Sequence, residues 1–323
     1  MKKIFFAVVA LAAMSSCAKE NTVMEAPRQA IAFGDVFVDN ATRADYSDGQ
    51  ELTTFDLFGT VTGSEGTINI FDGTDVYKTK RNNNDIGTDG STWWYDAAEA
   101  QYWIPGASYN FVAVADATIW SDEQDSNKMP VLLHTKYSTS GSNIADMLYA
   151  TATATVNEEG IPSVNPVSFT FSHLLSKAHF TVISNAENGY KHTVTGITIE
   201  NYSAGTYTIA KDSDGNDIST WAGTTAKDVE FADIANVTKA SGGQSNADML
   251  LVPNDATFDV TFTVNIYKGD QLYNSETKTI SVDTDLLKGN AYNFVINCEM
   301  GKPIQFNVTN DPEWTTQPGV TIQ

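Results

Sequence analysis

Four histidines, two cysteines and one acidic loop are the residues with which this chain could do chemistry, and their spacing argues against a catalyst. His134, His173, His179 and His192 are scattered, and none stands at a metal-ligand spacing from a cysteine or carboxylate. His173, two residues after Phe171 in an alternating run, reads as a strand residue with a hydrogen-bonded ring. The loop Asp212-Ser213-Asp214-Gly215-Asn216-Asp217 gathers the oxygen donors a hard cation prefers. Its glycine comes too early for an EF-hand, however, and Gly223 stands where the bidentate glutamate belongs. It reads as a hairpin turn with incidental acids, and cation binding stays open as the lesser reading. Neither a Gly-x-Ser-x-Gly elbow nor a phosphate-cradling glycine loop occurs. We therefore expect a non-enzyme, with no catalytic residue, no metal site and no cofactor.

Cys17 points to a different chemistry. Lys2 and Lys3 supply a positive start, and residues 4–13 form an apolar run of secretory length, too short to span a bilayer. Leu11-Ala12-Ala13-Met14-Ser15-Ser16 then leads into Cys17. These small residues before a cysteine resemble a bacterial lipobox, with Met14 where a leucine is usual. Residues 1–16 are thus expected to be a lipoprotein signal peptide, Cys17 the acylated first residue, and residues 17–29 a polar tether. Cys298 is left alone inside Phe294-Val295-Ile296-Asn297-Cys298 and reads as a small buried residue.

The elements that must carry these residues are strands. The chain has 323 residues, 41% of them hydrophobic, enough for a real core and on length for two domains. Its apolar residues are largely Val, Ile, Phe and Tyr in alternating runs, with Gly, Asn and Asp between them, which predicts an all-β fold. The formal net charge is −21, and becomes more negative once Lys2 and Lys3 leave with the signal. Such a surface repels phosphate backbones, so a nucleic-acid partner is not expected.

Residues 30–39 are apolar on both parities, as in a strand buried on both faces or lying in a groove. Small and polar residues follow, among them Arg43, one of only three arginines with Arg28 and Arg81. An exposed loop between strands is where proteolytic nicking concentrates. An aromatic block, with Trp93, Trp94, Tyr95, Trp103, Tyr109 and Phe111, is expected to fill the core; if exposed, with Trp120, it could stack on sugars. Residues 144–150 read as a strand closing the first half. The two prolines Pro162 and Pro166 mark a boundary, giving a first unit over residues 30–165 and a second over residues 166–323. After His173 the apolar parity switches across Leu174-Leu175-Ser176-Lys177, which requires an extra-residue device. Two phrases recur in reversed order: Ala145-Asp146-Met147-Leu148 as Ala247-Asp248-Met249-Leu250, and Tyr109-Asn110-Phe111-Val112 as Tyr292-Asn293-Phe294-Val295. The reversal excludes a tandem repeat.

Taken together, several of these phrases resemble the fimbrillin-like subunits of Bacteroidetes type V pili. The residues that carry the resemblance are Cys17, Ala41-Thr42-Arg43-Ala44, Tyr102-Trp103-Ile104-Pro105-Gly106, Phe169-Thr170-Phe171-Ser172-His173 with Lys177, Leu287-Lys288-Gly289 with Tyr292 and Phe294, and Trp314. The resemblance implies two transthyretin-like β-sandwich domains in tandem, and export as a lipoprotein to the outer membrane and cell-surface fimbrium. It implies cleavage after the first strand, at the position matched by Arg43, and polymerisation with other pilus subunits by strand donation. Shaft, tip and accessory roles stay open. The competing expectation is a lipid-anchored adhesin or glycan-binding module with a host or glycan ligand.

Overall fold

The structure is a computed structural model that describes residues 29–38, 45–46, 50–87, 93–115, 119–124, 130–134, 146–209 and 218–311. Alternating side chains put one face of a strand in the core and the other in solvent, and this pattern builds nearly everything described. The first half supplies β1 (Phe33–Val38), β2 (Asp45–Tyr46), β3 (Gln50–Glu51), β4 (Thr54–Gly63), β5 (Gly66–Tyr77), β6 (Ser108–Ala115), β7 (Ile119–Gln124), β8 (Pro130–His134), β9 (Leu148–Thr155) and β10 (Val167–His173). The second supplies β11 (Ser176–Ser184), β12 (Tyr190–Thr208), β13 (Thr220–Phe231), β14 (Ile234–Val237), β15 (Gln244–Ser245), β16 (Met249–Leu251), β17 (Phe258–Lys268), β18 (Gln271–Val282), β19 (Ala291–Cys298) and β20 (Gln305–Asp311). The helical element described is a single 3-10 turn, Ala97–Glu99, whose Ala98 N–H donates to the Asp96 carboxylate at 2.9 Å. The protein is all-β, in several packed sheets with no barrel.

The first sheet has the order β1-β10-β9-β6-β4-β5. Its inner face buries Phe55, Phe71, Phe111, Phe169 and Phe171, and residues 93–107 lay Trp93, Tyr95 and Trp103 into the same core. In the second half, a sheet ordered β15-β11-β19-β20, with β16 also on β11, faces one ordered β18-β17-β12-β8-β7, with β13 and β14 also on β12. Phe180, Ile199, Phe262 and Phe294 fill the space between these two sheets. A third cluster joins the halves: Phe58, Val112, Val114 and Tyr149 from the outer face of the first sheet meet Leu174, Tyr207 and Ile209.

Strand pairing does not follow the division expected between residues 165 and 166. β10 pairs with both β1 and β9 in the first sheet, and its Val167, Phe169 and Phe171 belong to the first core. Conversely, residues 119–134 lie in the first half of the sequence, yet β8 pairs with β12 of the second-half sheet over Val131 to His134. The first sheet is also closed later than expected, since β9 begins at Leu148 and sits inside the sheet between β6 and β10. The parity switch after His173 has its cause in a change of sheet: Leu174 faces the joining cluster, Leu175 packs with Leu250 and Val252, and Ser176 opens β11 in a different sheet.

The two recurring phrases build the same local device twice. The Ile104 N–H donates to the Tyr109 hydroxyl at 2.7 Å, and that hydroxyl reaches the Tyr102 carbonyl at 3.3 Å. Likewise the Leu287 N–H donates to the Tyr292 hydroxyl at 2.7 Å, which donates to the Asp285 carbonyl at 2.6 Å. Three residues before each tyrosine a glycine, Gly106 or Gly289, takes φ of 72°. Each tyrosine thereby pins the loop that leads into its strand, in the manner of a tyrosine corner.

Candidate functional site

The site is built around β1, which with β5 forms the two edges of the first sheet and is the edge strand that comes first in the described chain. β1 is one of the two outermost strands and runs parallel to β10, with Phe33 opposite Val167, Val36 opposite Phe169 and Val38 opposite Phe171. The register shifts between Phe33 and Val36. Gly34 sits in that irregularity because a Cβ there would come 2.7 Å from the Pro166 ring. The strand is not buried on both faces as its composition suggests: Asp35 is exposed and Phe37 is 49% exposed, while Phe33, Val36 and Val38 are buried. An edge strand has only one sheet neighbour, so the shift at Gly34 and the outward Phe37 meet no second ladder.

Upstream of β1 the chain is stitched to a loop. The Ile31 N–H donates to the Gln101 carbonyl at 2.9 Å, and the Trp103 N–H to the Gln29 carbonyl at 3.1 Å. The Tyr95 hydroxyl donates to the Ile31 carbonyl at 2.7 Å, and burial pushes that hydroxyl above the ordinary tyrosine range, so it remains a donor. Phe33 is the anchor. Its ring lies within 5.6 to 6.1 Å, centroid to centroid, of Tyr95, Phe71, Phe169 and Phe111. Burying side chains such as Ile31, Phe33, Val36 and Val38 is worth about 1.5–3 kcal/mol each. The strand is therefore held firmly, by side chains entering a groove more than by its single ladder.

Of the residues singled out from sequence, Cys17, Arg43, Trp314 and the loop from Asp212 to Asp217 lie outside the described residues. Arg81 is described, and its guanidinium lies over the Tyr77 ring, 3.2 Å from the centroid. Trp93 and Trp103 are 2% and 4% exposed, so they fill the core and cannot stack on a sugar. Trp94 is half-buried under the Lys80 ammonium, 4.7 Å from its ring. Cys298 is buried, and burial pushes its thiol up to about 12, which leaves it unreactive. Among the described residues no cluster of metal-ligating side chains forms, and no helix is long and apolar enough to cross a membrane.

The histidines find carboxylates that spacing alone could not reveal. His173 Nδ1 lies 2.6 Å from the Asp146 carboxylate, both residues buried, and His179 Nδ1 lies 2.9 Å from Asp248. Each aspartate belongs to the recurring Ala-Asp-Met-Leu phrase, just ahead of a strand antiparallel to the one that carries or leads into the histidine. Burial works against the Asp248 charge, but the His179 hydrogen bond and the Lys177 ammonium at 3.4 Å hold its carboxyl below the usual range. His192, hydrogen-bonded to Ser184 at 2.7 Å, is pushed down by burial and stays neutral. Both aspartate–histidine pairs tie the residue ahead of one strand to the histidine of its neighbour, and so fasten the fold. The only signal for them in the sequence is the repeated phrase itself.

The fold defines the class: an all-β protein of stacked sheets whose apolar first strand lies on a sheet edge. Within that class the assignment is direct: the fimbrillin-like family profile matches residues 42–314, and the chain belongs to that family. None of the curated proteins compared with it matches. Among solved structures, a candidate cell adhesion protein of Bacteroides ovatus ATCC 8483 shares the fold at a TM-score of 0.51, with 17% identity over 90% of this chain and 99% of that one. A fimbrial assembly protein of Parabacteroides distasonis ATCC 8503 aligns over 88% of this chain and 100% of its own, at 16% identity and a TM-score of 0.45. The C-terminally truncated tip fimbrial protein Mfa3 of Porphyromonas gingivalis aligns over 85% and 99%, at 8% identity and a TM-score of 0.42.

Proposed function

We propose that this chain is a structural subunit of a cell-surface fimbrium, exported as a lipoprotein acylated at Cys17 and joined to its neighbours by exchange of its first strand. Cleavage at Arg43 would separate β1 from the rest of the chain. Withdrawal of β1 would then expose the edge of β10 and a groove floored by Phe71, Phe111 and Phe169, into which an extended strand of the next subunit could add. Main-chain hydrogen bonds to β10 would supply adhesion, and alternate apolar side chains in the places of Phe33, Val36 and Val38 would set the register.

The observation that carries this reading is the position of β1: outermost in its sheet, paired on one edge, and filling the first core with one face. Placement in the outer membrane through Cys17 before processing follows from the same reading. An arginine-specific protease should shorten the purified chain near Arg43 and yield oligomers that survive dilution, while Arg43→Ala should remain full length and form none. A wild-type chain that resists cleavage there, or that forms no lasting oligomer once cut, would overturn the proposal.

A further inference from the structure

We infer that copies of this chain also stack end to end through a second contact, in which the acidic turn at residues 157–161 of one copy seats in the lysine-rimmed pocket beside Tyr190 of the next. The inference rests on the assembly reading above for its setting, though its observations are separate from β1.

Each of the two surfaces lies at the far end of a ladder that leads away from the joining cluster. In the first sheet Val114 pairs with Tyr149 at the joint, and the same ladder ends at Ser108 and Thr155. Beyond it comes the turn that contains Glu158, Glu159 and Ile161, on the order of 25 Å from Tyr149 at about 3.3 Å per residue. In the second half Tyr207 is at the joint, its ring 6.0 Å from that of Tyr149. β12 runs from there back to Tyr190, which pairs with Lys268 at the far end.

The two ends differ in charge and in shape. The first projects Ile161, 60% exposed, between Glu158, Glu159 and the exposed Val164, with exposed Ile104 alongside. Gly160 lies against Pro105, which places this turn and that loop side by side. Among the described residues of the first half the basic side chains are Lys78, Lys80 and Arg81, and they lie toward the other end of the sheet, where the Lys78 N–H donates to the Thr53 carbonyl. The second end is concave: a surface cavity of about 720 Å³ is lined by residues that include Glu187, Tyr190, Lys191 and Lys239. Lys268 lies over Tyr190, whose ring meets that of Tyr273, itself 66% exposed. In a chain of net charge −21, this end gathers Lys191, Lys239, Lys268 and Lys302 against Glu187, Asp270 and Glu299.

An acidic apolar knob and a lysine-rimmed, aromatic-edged hollow, where four lysines stand against three carboxylates in a strongly acidic chain, are complementary surfaces of one molecule. Because the two patches differ, the contact is heterologous, which yields rings or rows of subunits in place of a symmetric dimer. Lys239 already pairs with Glu187 at 2.7 Å, so seating the knob would make Lys239 bridge two carboxylates, while Lys191, whose link to Asp270 is 3.5 Å and solvent-exposed, could turn to Glu158 or Glu159.

The test uses the uncut chain, in which β1 stays in place and strand exchange cannot contribute. Sedimentation velocity at low salt, from micromolar to millimolar concentration, should show reversible association that weakens with added salt. Glu158→Lys with Glu159→Lys, and separately Lys191→Glu with Lys239→Glu, should each abolish it. An equimolar mixture of the two variants should recover heterodimers. Glu158, Glu159 and Lys239 are exposed and Lys191 is partly exposed, so the variants should fold, as circular dichroism would check. Absence of association in the uncut wild type, association unchanged in either variant, or a mixture that stays monomeric would overturn the inference. Those outcomes leave strand exchange untouched, because its oligomers appear only after cleavage and survive dilution.

Discussion

Phe33 and Phe71 stand on the two outermost strands of one six-stranded sheet, yet their ring centroids are 5.9 Å apart and edge to face. Two edges can meet only if the sheet curls over its own inner face. The first core is thus sealed along a seam between β1 and β5, and Phe33 is the side chain that closes it. Removing β1 would open the core along its length, which is the physical basis for a groove that a foreign strand can enter.

Phe33→Ala should therefore cost the uncut chain about 3–5 kcal/mol, the usual penalty for truncating a buried phenylalanine. A chain cut at Arg43 and freed of its first strand should be indifferent to the substitution. Paired denaturant titrations of both forms check this, and an equal effect in the two would place Phe33 outside the removable segment.

Gly34→Ala should loosen β1 without touching the core, because the added methyl meets the Pro166 ring at 2.7 Å. We expect a loss of about 1–3 kcal/mol, the range for overpacking. Hydrogen exchange should localise it, with faster exchange at the Val167 amide, which donates to the Ala32 carbonyl at 2.8 Å.

The pair Asp146 and His173 should be worth more than the pair Asp248 and His179, although one phrase supplies both aspartates. Asp146→Ala leaves a buried imidazole without its carboxylate and should cost about 1–3 kcal/mol. Asp248 is substantially exposed, so Asp248→Ala should cost at most about 1 kcal/mol. Equal losses in thermal or chemical denaturation would contradict this ranking.

Acid should strengthen one strand pair. Asp56 and Asp75 face each other across β4 and β5, and burial, then the Asp75 charge and a hydrogen bond between the two, push the Asp56 carboxyl up to about 6 from 3.8. The folded chain thus holds this proton more tightly than the unfolded chain does. The penalty is fully present above about 6 and is relieved as pH falls from there towards 3.8. Asp56→Asn should be more stable than wild type at pH 8, with the advantage shrinking by pH 4. Unfolding midpoints measured across that range for both proteins check the sign.

Much of this was legible in the residues, and what was not has a common cause. Alternation in Val167–His173 and Phe258–Lys268 announces strands wherever they pair, so the all-β class could be read directly. Trp93, Tyr95, Trp103, Tyr109 and Phe111 of the aromatic block are core because rings of that size find few other places to be buried, while Trp94 and Tyr102 of the same block reach the surface. Partner choice was hidden, since nothing local tells β8 to join β12 or tells β10 to stay with β1. The same holds for His173 and Asp146, which are 27 residues apart, and for His179 and Asp248, which are 69 apart. Only the repeated phrases around Tyr109 and Tyr292 hinted at shared geometry, and their reversed order concealed that each tyrosine ties down an identical turn.

The excursion of residues 119–134 bears on force. After β6 the chain leaves the first sheet, lays β8 beside β12 in register from Val131 to His134, and returns as β9. A pull applied between the two ends of the molecule cannot part the halves by peeling the joining cluster alone. It must also break the ladder that ties a loop of one half into the sheet of the other, so the hairpin acts as a clasp and the molecule carries tension as one link.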